Sequence, residues 1–218
     1  VTDQTVGFLF EPIQGEGGVI VPPDDFLRRV REICDRSEIA MMVDEIQTGL
    51  GRTGRLFACE WEDVRPDVLI VGKALGGGLY PVSAVLSDVE YMDVFRPGDH
   101  GSTFGGNPLA AAIGRASLKV IIEEDLPRRA DELGRWFMGE LDAIASPHVV
   151  QVRGRGLLIG VEIRESSGTA RPYCEALRDR GILAKETHGQ VIRFAPPLVV
   201  EKDVLEEALE EIAAVLES

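Results

Sequence analysis

Three short, almost unbroken apolar runs, residues 6–10, 39–43 and 68–71, constrain this chain more than any other feature. Each has the length of a strand, and continuous hydrophobicity is the pattern of strands buried on both faces. Between the first two, Phe26, Leu27, Val30, Ile33 and Cys34 fall at helical spacing behind the start signal Pro22-Pro23-Asp24-Asp25. Strand, helix and strand in that order predict a βαβ unit and a mostly parallel sheet, so the fold class is α/β. A fourth apolar run, residues 82–86, predicts one more strand.

Each of the first three runs leads into a residue able to do chemistry: Glu11, Asp44 and Lys73. In open α/β sheets ligands bind beyond the carboxyl ends of the strands, so this placement has a structural reason. Lys73 closes Asp67-Val-Leu-Ile-Val-Gly-Lys73 and precedes the glycine turn Ala74-Leu-Gly-Gly-Gly78. That is a poor place for a solvated surface charge. Burial and neighbouring charge lower a lysine pKa until the neutral amine can form a Schiff base. Asp44, if buried, needs a charged or hydrogen-bonding partner. A pyridinium N–H would be one, and it would keep the ring a strong electron sink. Taken singly, Asp44 also reads as a helix N-cap and Lys73 as a structural ion-pair lysine. On successive strand ends the two point to a cofactor clamped between them. The glycine turn is not a P-loop, because its lysine precedes the glycines.

His100-Gly-Ser-Thr-Phe-Gly-Gly-Asn-Pro108 offers hydroxyls and open backbone N–H groups before a helix start, an arrangement that can cradle a phosphate. Asn107-Pro108 opens a long helix to about residue 123, and a second helix follows from 127 to 144. From about residue 149 the texture changes. Strands at 149–152 and 157–163, a helix near 172–179, strands near 182–184 and 191–194 and a closing amphipathic helix predict a small α+β domain. The boundary is placed near residue 115, giving domains 1–115 and 116–218. Arg193 sits at a strand end, where an arginine suits bidentate capture of a substrate carboxylate, with Glu16 as its possible partner. Spacing alone favours an ordinary structural salt bridge between them. Arg153 and Arg155 read as packing or surface residues.

The charge balance of 23 basic against 37 acidic residues, a net −14, argues against a nucleic-acid or anionic-membrane partner. No apolar run approaches membrane-spanning length. Cys34, Cys59 and Cys174 lie far apart without metal-ligand spacing and read as reduced thiols of a cytoplasmic protein. His100, His148 and His188 show no metal spacing either, and no serine has a His/Asp partner set. The chain opens on Val1 and is almost at once in a strand-like run, which reads as a start in the middle of a fold.

Together these segments resemble the fold-type I, class III pyridoxal-phosphate aminotransferases. The motifs are Glu11-Pro-Ile-Gln-Gly-Glu-Gly17, Asp44-Glu-Ile-Gln-Thr-Gly-Leu-Gly-Arg-Thr-Gly54, Gly72-Lys-Ala-Leu-Gly-Gly-Gly78 and Gly101-Ser-Thr-Phe-Gly-Gly-Asn-Pro108. Leu79-Tyr-Pro-Val-Ser-Ala84 and Ala184-Lys-Glu-Thr-His-Gly-Gln-Val-Ile-Arg-Phe-Ala-Pro-Pro-Leu198 favour the ornithine-using branch over acetylornithine and 4-aminobutyrate relatives. The resemblance covers essentially all of the chain but only the C-terminal half of the family's pattern.

It implies pyridoxal 5′-phosphate as cofactor, carried by Lys73, which would then shuttle a proton on the substrate. Asp44 would hold the pyridinium, Gln47 would bond the ring's phenolic oxygen and Ile46 would pack under the ring. Ser102 and Thr103 would reach the phosphate of a neighbouring subunit, making a homodimer part of the site. Arg193 would bind the α-carboxylate of glutamate or 2-oxoglutarate, and Glu16 would neutralise Arg193 while ornithine presents its distal amine. The implied reaction moves the δ-amino group of ornithine to 2-oxoglutarate, giving glutamate semialdehyde and glutamate. An acetylornithine, 4-aminobutyrate or lysine donor is the alternative within the class, and a non-catalytic remnant the alternative outside it. With half of the family's chain absent, the sheet is expected to expose an edge and an apolar face. The polypeptide alone is then expected to be neither stable nor active, and to need a separately encoded N-terminal half unless it is a fragment of a longer chain.

Overall fold

The first three apolar runs form strands β1 (Gly7–Phe10), β2 (Ala40–Asp44) and β3 (Val68–Val71) in a computed structural model that describes residues 1–217. They pair in parallel and in sequence order, with Phe10 opposite Val43 and Asp44 opposite Ile70. The fourth run becomes β4 (Ala84–Ser87), which pairs antiparallel to β3. The sheet is therefore mixed and mostly parallel. Helix α1 (Phe26–Arg36) makes the β1–β2 crossover and buries Leu27, Val30 and Cys34 against Met41 and Val43. Phe10 meets Phe26 edge to face on this side, with ring centroids 5.7 Å apart.

The expectation of strands buried on both faces is corrected by the structure. Leu9 and Val85 are 57% and 53% exposed, and β3 is half-buried along most of its length. The reason lies in the pleat: alternate residues point to opposite faces, and α1 covers only one of them. Leu9, Met42 and Asp44 share the other.

After β4 come the one-turn helix α2 (Val89–Met92) and α3 (Pro108–Glu123). The Asn107 side chain caps α3 by accepting from the Ala110 N–H at 2.9 Å, and proline stands at the first helical position.

A second, antiparallel sheet has the order β5-β6-β8-β7, from β5 (Val149–Arg155), β6 (Leu158–Ile163), β7 (Lys185–Thr187) and β8 (Val191–Phe194). Helices α4 (Leu126–Ala143), α5 (Ala170–Asp179) and α6 (Lys202–Leu216) pack their apolar stripes into one core with Ile159, Val161, Ile192 and Phe194. The strand expected at residues 182–184 starts instead at Lys185. Residues 180–182 finish α5: the Ile182 N–H donates to the Leu177 carbonyl and that of Gly181, at φ 86°, to Arg178. That Schellman-type end uses up the residues that apolar patterning assigns to the strand.

The chain divides into two compact units. The first holds Val1–Pro12, Pro22–Leu50 and Phe57–Glu124; the second holds Ile13–Val21, Gly51–Leu56 and residues from Asp125 onward. Residue 115, the boundary read from the sequence, lies inside α3. Among the described residues no helix is long and apolar enough to cross a membrane, and no cluster of three or more His, Cys, Asp or Glu side chains could hold a metal. Cys34, Cys59 and Cys174 are free and buried.

Candidate active site

In the first unit, the register of β2 and β3 brings the Asp44 and Lys73 segments to the carboxyl ends of adjacent parallel strands. Asp44 is opposite Ile70, and Lys73 lies three residues beyond. The half-buried Asp44 carboxylate accepts the Ile46 N–H through Oδ1 at 2.9 Å, which fixes its rotation where the strand ends. Ile46 packs on Gly72: a Cβ built at residue 72 would lie 3.4 Å from both Cγ1 and Cγ2 of Ile46. Gln47 follows in the same turn, half-buried.

Lys73 has φ 41°, a left-handed backbone that costs a side-chain-bearing residue energy and persists only where its surroundings impose it. The imposing groups are visible. A 3₁₀ turn, Lys73–Gly76, starts at the lysine, and α3 backs that turn through Ser117 Oγ, which donates to the Ala74 carbonyl at 2.7 Å. The burial expected for Lys73 is corrected: its side chain is exposed, and the residue stands past the last residue of β3, Val71, at the start of the 3₁₀ turn. Among the described residues neither Lys73 nor Asp44 makes an ion pair. A fixed carboxylate and an uncommitted amine at neighbouring strand ends are the chemistry that a pyridinium with a reactive carbonyl requires, so these residues fit pyridoxal phosphate.

Ser102 and Thr103 are exposed on the loop before α3. Ser102 Oγ accepts the Gly105 N–H at 2.9 Å. Asn107 Nδ2 donates to the Phe104 carbonyl at 2.7 Å and to Tyr80 Oη at 3.3 Å, which ties this loop to the segment after the glycine turn.

Beside Asp44, Glu45 is almost fully buried. Its carboxylate accepts from Thr48 Oγ1 at 2.5 Å and from the Cys59 N–H at 2.9 Å. Burial raises its pKa above the ordinary carboxyl value, and burial together with Glu45 pushes the Cys59 thiol far up. These groups peg the turn after β2 and leave Asp44 as the available acid.

In the second unit, Glu16 and Arg193 form the expected pair. Arg193 Nη1 donates to Glu16 Oε1 at 2.6 Å, with the arginine side chain 13% exposed and the glutamate 59%. Lys185 Nζ donates to Glu16 Oε2 at 3.2 Å. Hydrogen bonds from Arg193 and then Lys185 hold the Glu16 pKa below the ordinary carboxyl value. The loop carrying Glu16 is stapled through its backbone. Gln14 and Ile20 bridge each other, and the buried Thr187 hydroxyl donates to the Glu16 carbonyl at 2.6 Å. Arg153 donates to the Gly18 and Val19 carbonyls at 2.7 and 3.0 Å and pairs with Glu162. Arg153, read from sequence as packing or surface, thus anchors the Glu16 loop. Lys185 and Thr187 were visible only as letters of a motif. The signal that finds them is the hairpin across His188-Gly189, which sets Lys185 opposite Arg193.

The aminotransferase class-III family model matches residues 1–216. Ornithine aminotransferase of Staphylococcus epidermidis is 58% identical over 99% of this chain, and that of an Exiguobacterium species 56% identical over 99%. The chain spans about half of these relatives, 54% and 53% of their lengths. Among solved structures, ornithine aminotransferase from Plasmodium yoelii superposes with a TM-score of 0.94 at 43% identity, covering 97% of this chain and 57% of the other. Acetylornithine aminotransferase from Elizabethkingia anophelis superposes at 0.91 with 48% identity, covering 96% and 53%. A Toxoplasma gondii ornithine aminotransferase (TM-score 0.93, 44% identity, 96% and 50% covered) is described with partial occupancy of PLP at its active site.

Proposed function

Because the chain belongs to the class III aminotransferases, we propose that it forms the Lys73-bearing half of an enzyme that moves the δ-amino group of ornithine to 2-oxoglutarate. The observation that supports this most is the pairing of a fixed Asp44 carboxylate with an uncommitted Lys73 amine on adjacent strand ends. Pyridoxal phosphate, when bound, supplies a carbonyl for amines and a ring that withdraws electrons. Asp44 keeps a ring N–H protonated. Ile46 offers an apolar surface for a ring, and Gln47 a side-chain amide for a ring oxygen. Lys73 Nζ would hold the cofactor and, as a free amine, would serve as the base for the proton on the substrate carbon bearing the amine. Ser102 and Thr103 offer hydroxyls to a phosphate across a homodimer.

Arg193 takes the α-carboxylate of glutamate or 2-oxoglutarate. While Glu16 occupies Arg193, no such carboxylate is attracted, and ornithine is accepted by its distal amine. Glutamate semialdehyde and glutamate are the products. The chain spans about half of the longer relatives, so the reading is tested on an assembly that also contains a segment matching their other half, co-expressed with this one.

The test is borohydride reduction of that co-expressed assembly with pyridoxal phosphate, followed by peptide mass analysis. A cofactor adduct on Lys73 is expected; an assembly that forms without ever modifying Lys73 overturns the reading. An amine panel separates ornithine from acetylornithine, the donor named for the Elizabethkingia relative. With Glu16→Ala, use of α-amino donors such as glutamate rises; no rise removes the gating role.

A further inference from the structure

We propose that Lys185 is a specificity-determining positioning residue: it receives the Glu16 carboxylate when an acidic substrate displaces that carboxylate from Arg193. This rests on the aminotransferase reading for its consequence in catalysis, but not for its geometry.

Lys185 and Arg193 are directly opposed on the β7–β8 ladder. Like charges facing each other across a two-stranded pair are unfavourable unless an anion lies between them. Glu16 is that anion, with one carboxylate oxygen on each cation. The two bonds differ in setting. The guanidinium is mostly buried and the contact short, whereas Lys185 is 60% exposed and its contact longer.

The Glu16 backbone cannot travel far. Its carbonyl is held by Thr187, and the following residues by Arg153 and by the Gln14–Ile20 bridge. Any exchange at Arg193 therefore has to be made by the Glu16 side chain alone, by rotation about its own bonds. Without Lys185, a carboxylate arriving at Arg193 would leave the Glu16 anion unpaired beside a second anion. With Lys185, the exchange ends in two neutral pairs, substrate carboxylate with Arg193 and Glu16 with Lys185. Guanidinium, with its planar fork, suits the incoming carboxylate, and the flexible ammonium suits a partner that must be followed as it moves.

The first measurement needs no catalysis: a carbon-detected NMR titration of the Glu16 carboxyl. In Arg193→Gln, Glu16 stays below the ordinary carboxyl range because Lys185 still holds it. Adding Lys185→Met returns it to that range. If Arg193→Gln alone returns it, Lys185 cannot hold Glu16 and the proposal is overturned. Lys185→Met alone, which leaves the mostly buried arginine in place, raises the Glu16 value relative to wild type; no change also overturns it.

In the co-expressed active assembly, Lys185→Met raises the KM for 2-oxoglutarate several-fold, with a smaller change in the KM for ornithine, and Lys185→Arg restores it. In a Glu16→Gln background the same lysine substitution has no effect. An equal effect in both backgrounds would make Lys185 a general attractive charge and defeat the proposal. Failure of the assembly to transaminate would count against the functional reading and leave the titration to decide the role of Lys185.

Discussion

Glu45 and Glu16 are both anions beside a motif turn, yet their surroundings push their protons in opposite directions. The native state holds the Glu45 proton more tightly than the unfolded chain does, so from the unfolded carboxyl pKa, about 4.3, up to its raised native value the folded protein binds more protons. The stability Glu45 contributes is complete below the unfolded value and is lost as pH rises through the native one. Glu16 has a lowered native value. Its contribution is present above the unfolded pKa and is lost as pH falls through the native one. Urea melts between pH 3 and pH 8 should therefore show Glu45→Gln flattening the decline on the neutral side and Glu16→Gln flattening the loss on the acid side. A Glu45→Gln profile that superimposes on wild type would show that the Thr48 and Cys59 contacts already cancel the cost of burial. The adjacent letters Asp44-Glu45 do not reveal which acid is buried as a peg and which is available, because the alternation that assigns faces ends with the strand at Asp44.

Helix α4 meets the β5–β6 hairpin without side chains between them. A Cβ at Gly134 would lie 2.0 Å from the Gly156 carbonyl oxygen, and one at Gly156, at φ 54°, would lie 2.5 Å from the Thr53 carbonyl carbon. Helix propensity alone makes Gly134→Ala stabilising by about 1 kcal/mol. The close approach reverses the sign, and a destabilisation of about 1–3 kcal/mol is expected from overpacking. Denaturant melts of Gly134→Ala against the solvent-facing control Gly139→Ala, where a Cβ meets nothing within 4 Å, check this. At this scale much was legible. The runs at residues 39–43 and 68–71 gave β2 and β3, and the Asn107-Pro108 pair located the start of α3. What escaped has specific causes. No residue in 82–86 encodes whether β4 runs parallel or antiparallel. Ile182 looks like a strand residue but is spent capping α5. The facing of Lys185 and Arg193 depends on register, which a single strand's sequence does not carry. The placement of Lys73 and Asp44 at strand ends could be read because each strand end is local; the Arg153 anchor could not, because its partners lie 134 and 135 residues away.

Across the whole molecule, a net charge of −14 coexists with an apolar sheet face carrying exposed Leu9 and Val85. The charge opposes self-association and the face favours it. Raising the salt concentration screens only the first, so sedimentation should shift to larger species with salt, and a hydrophobic dye such as ANS should bind. Leu9→Thr with Val85→Thr should cut dye binding several-fold and restore the low-salt sedimentation; unchanged binding would mean that the dye reads another surface. The two units also share the chain unevenly, the second borrowing Ile13–Val21 and Gly51–Leu56 from between strands of the first. Glu16 therefore lies 177 residues from Arg193, with the six strands β2 to β7 and much of the first unit encoded between them. A crossover between two related genes anywhere from Glu16 to Lys185 would join the glutamate of one parent to the arginine and lysine of the other. The Glu16–Arg193 ion pair is inherited from both sides of such a breakpoint and does not travel as a cassette.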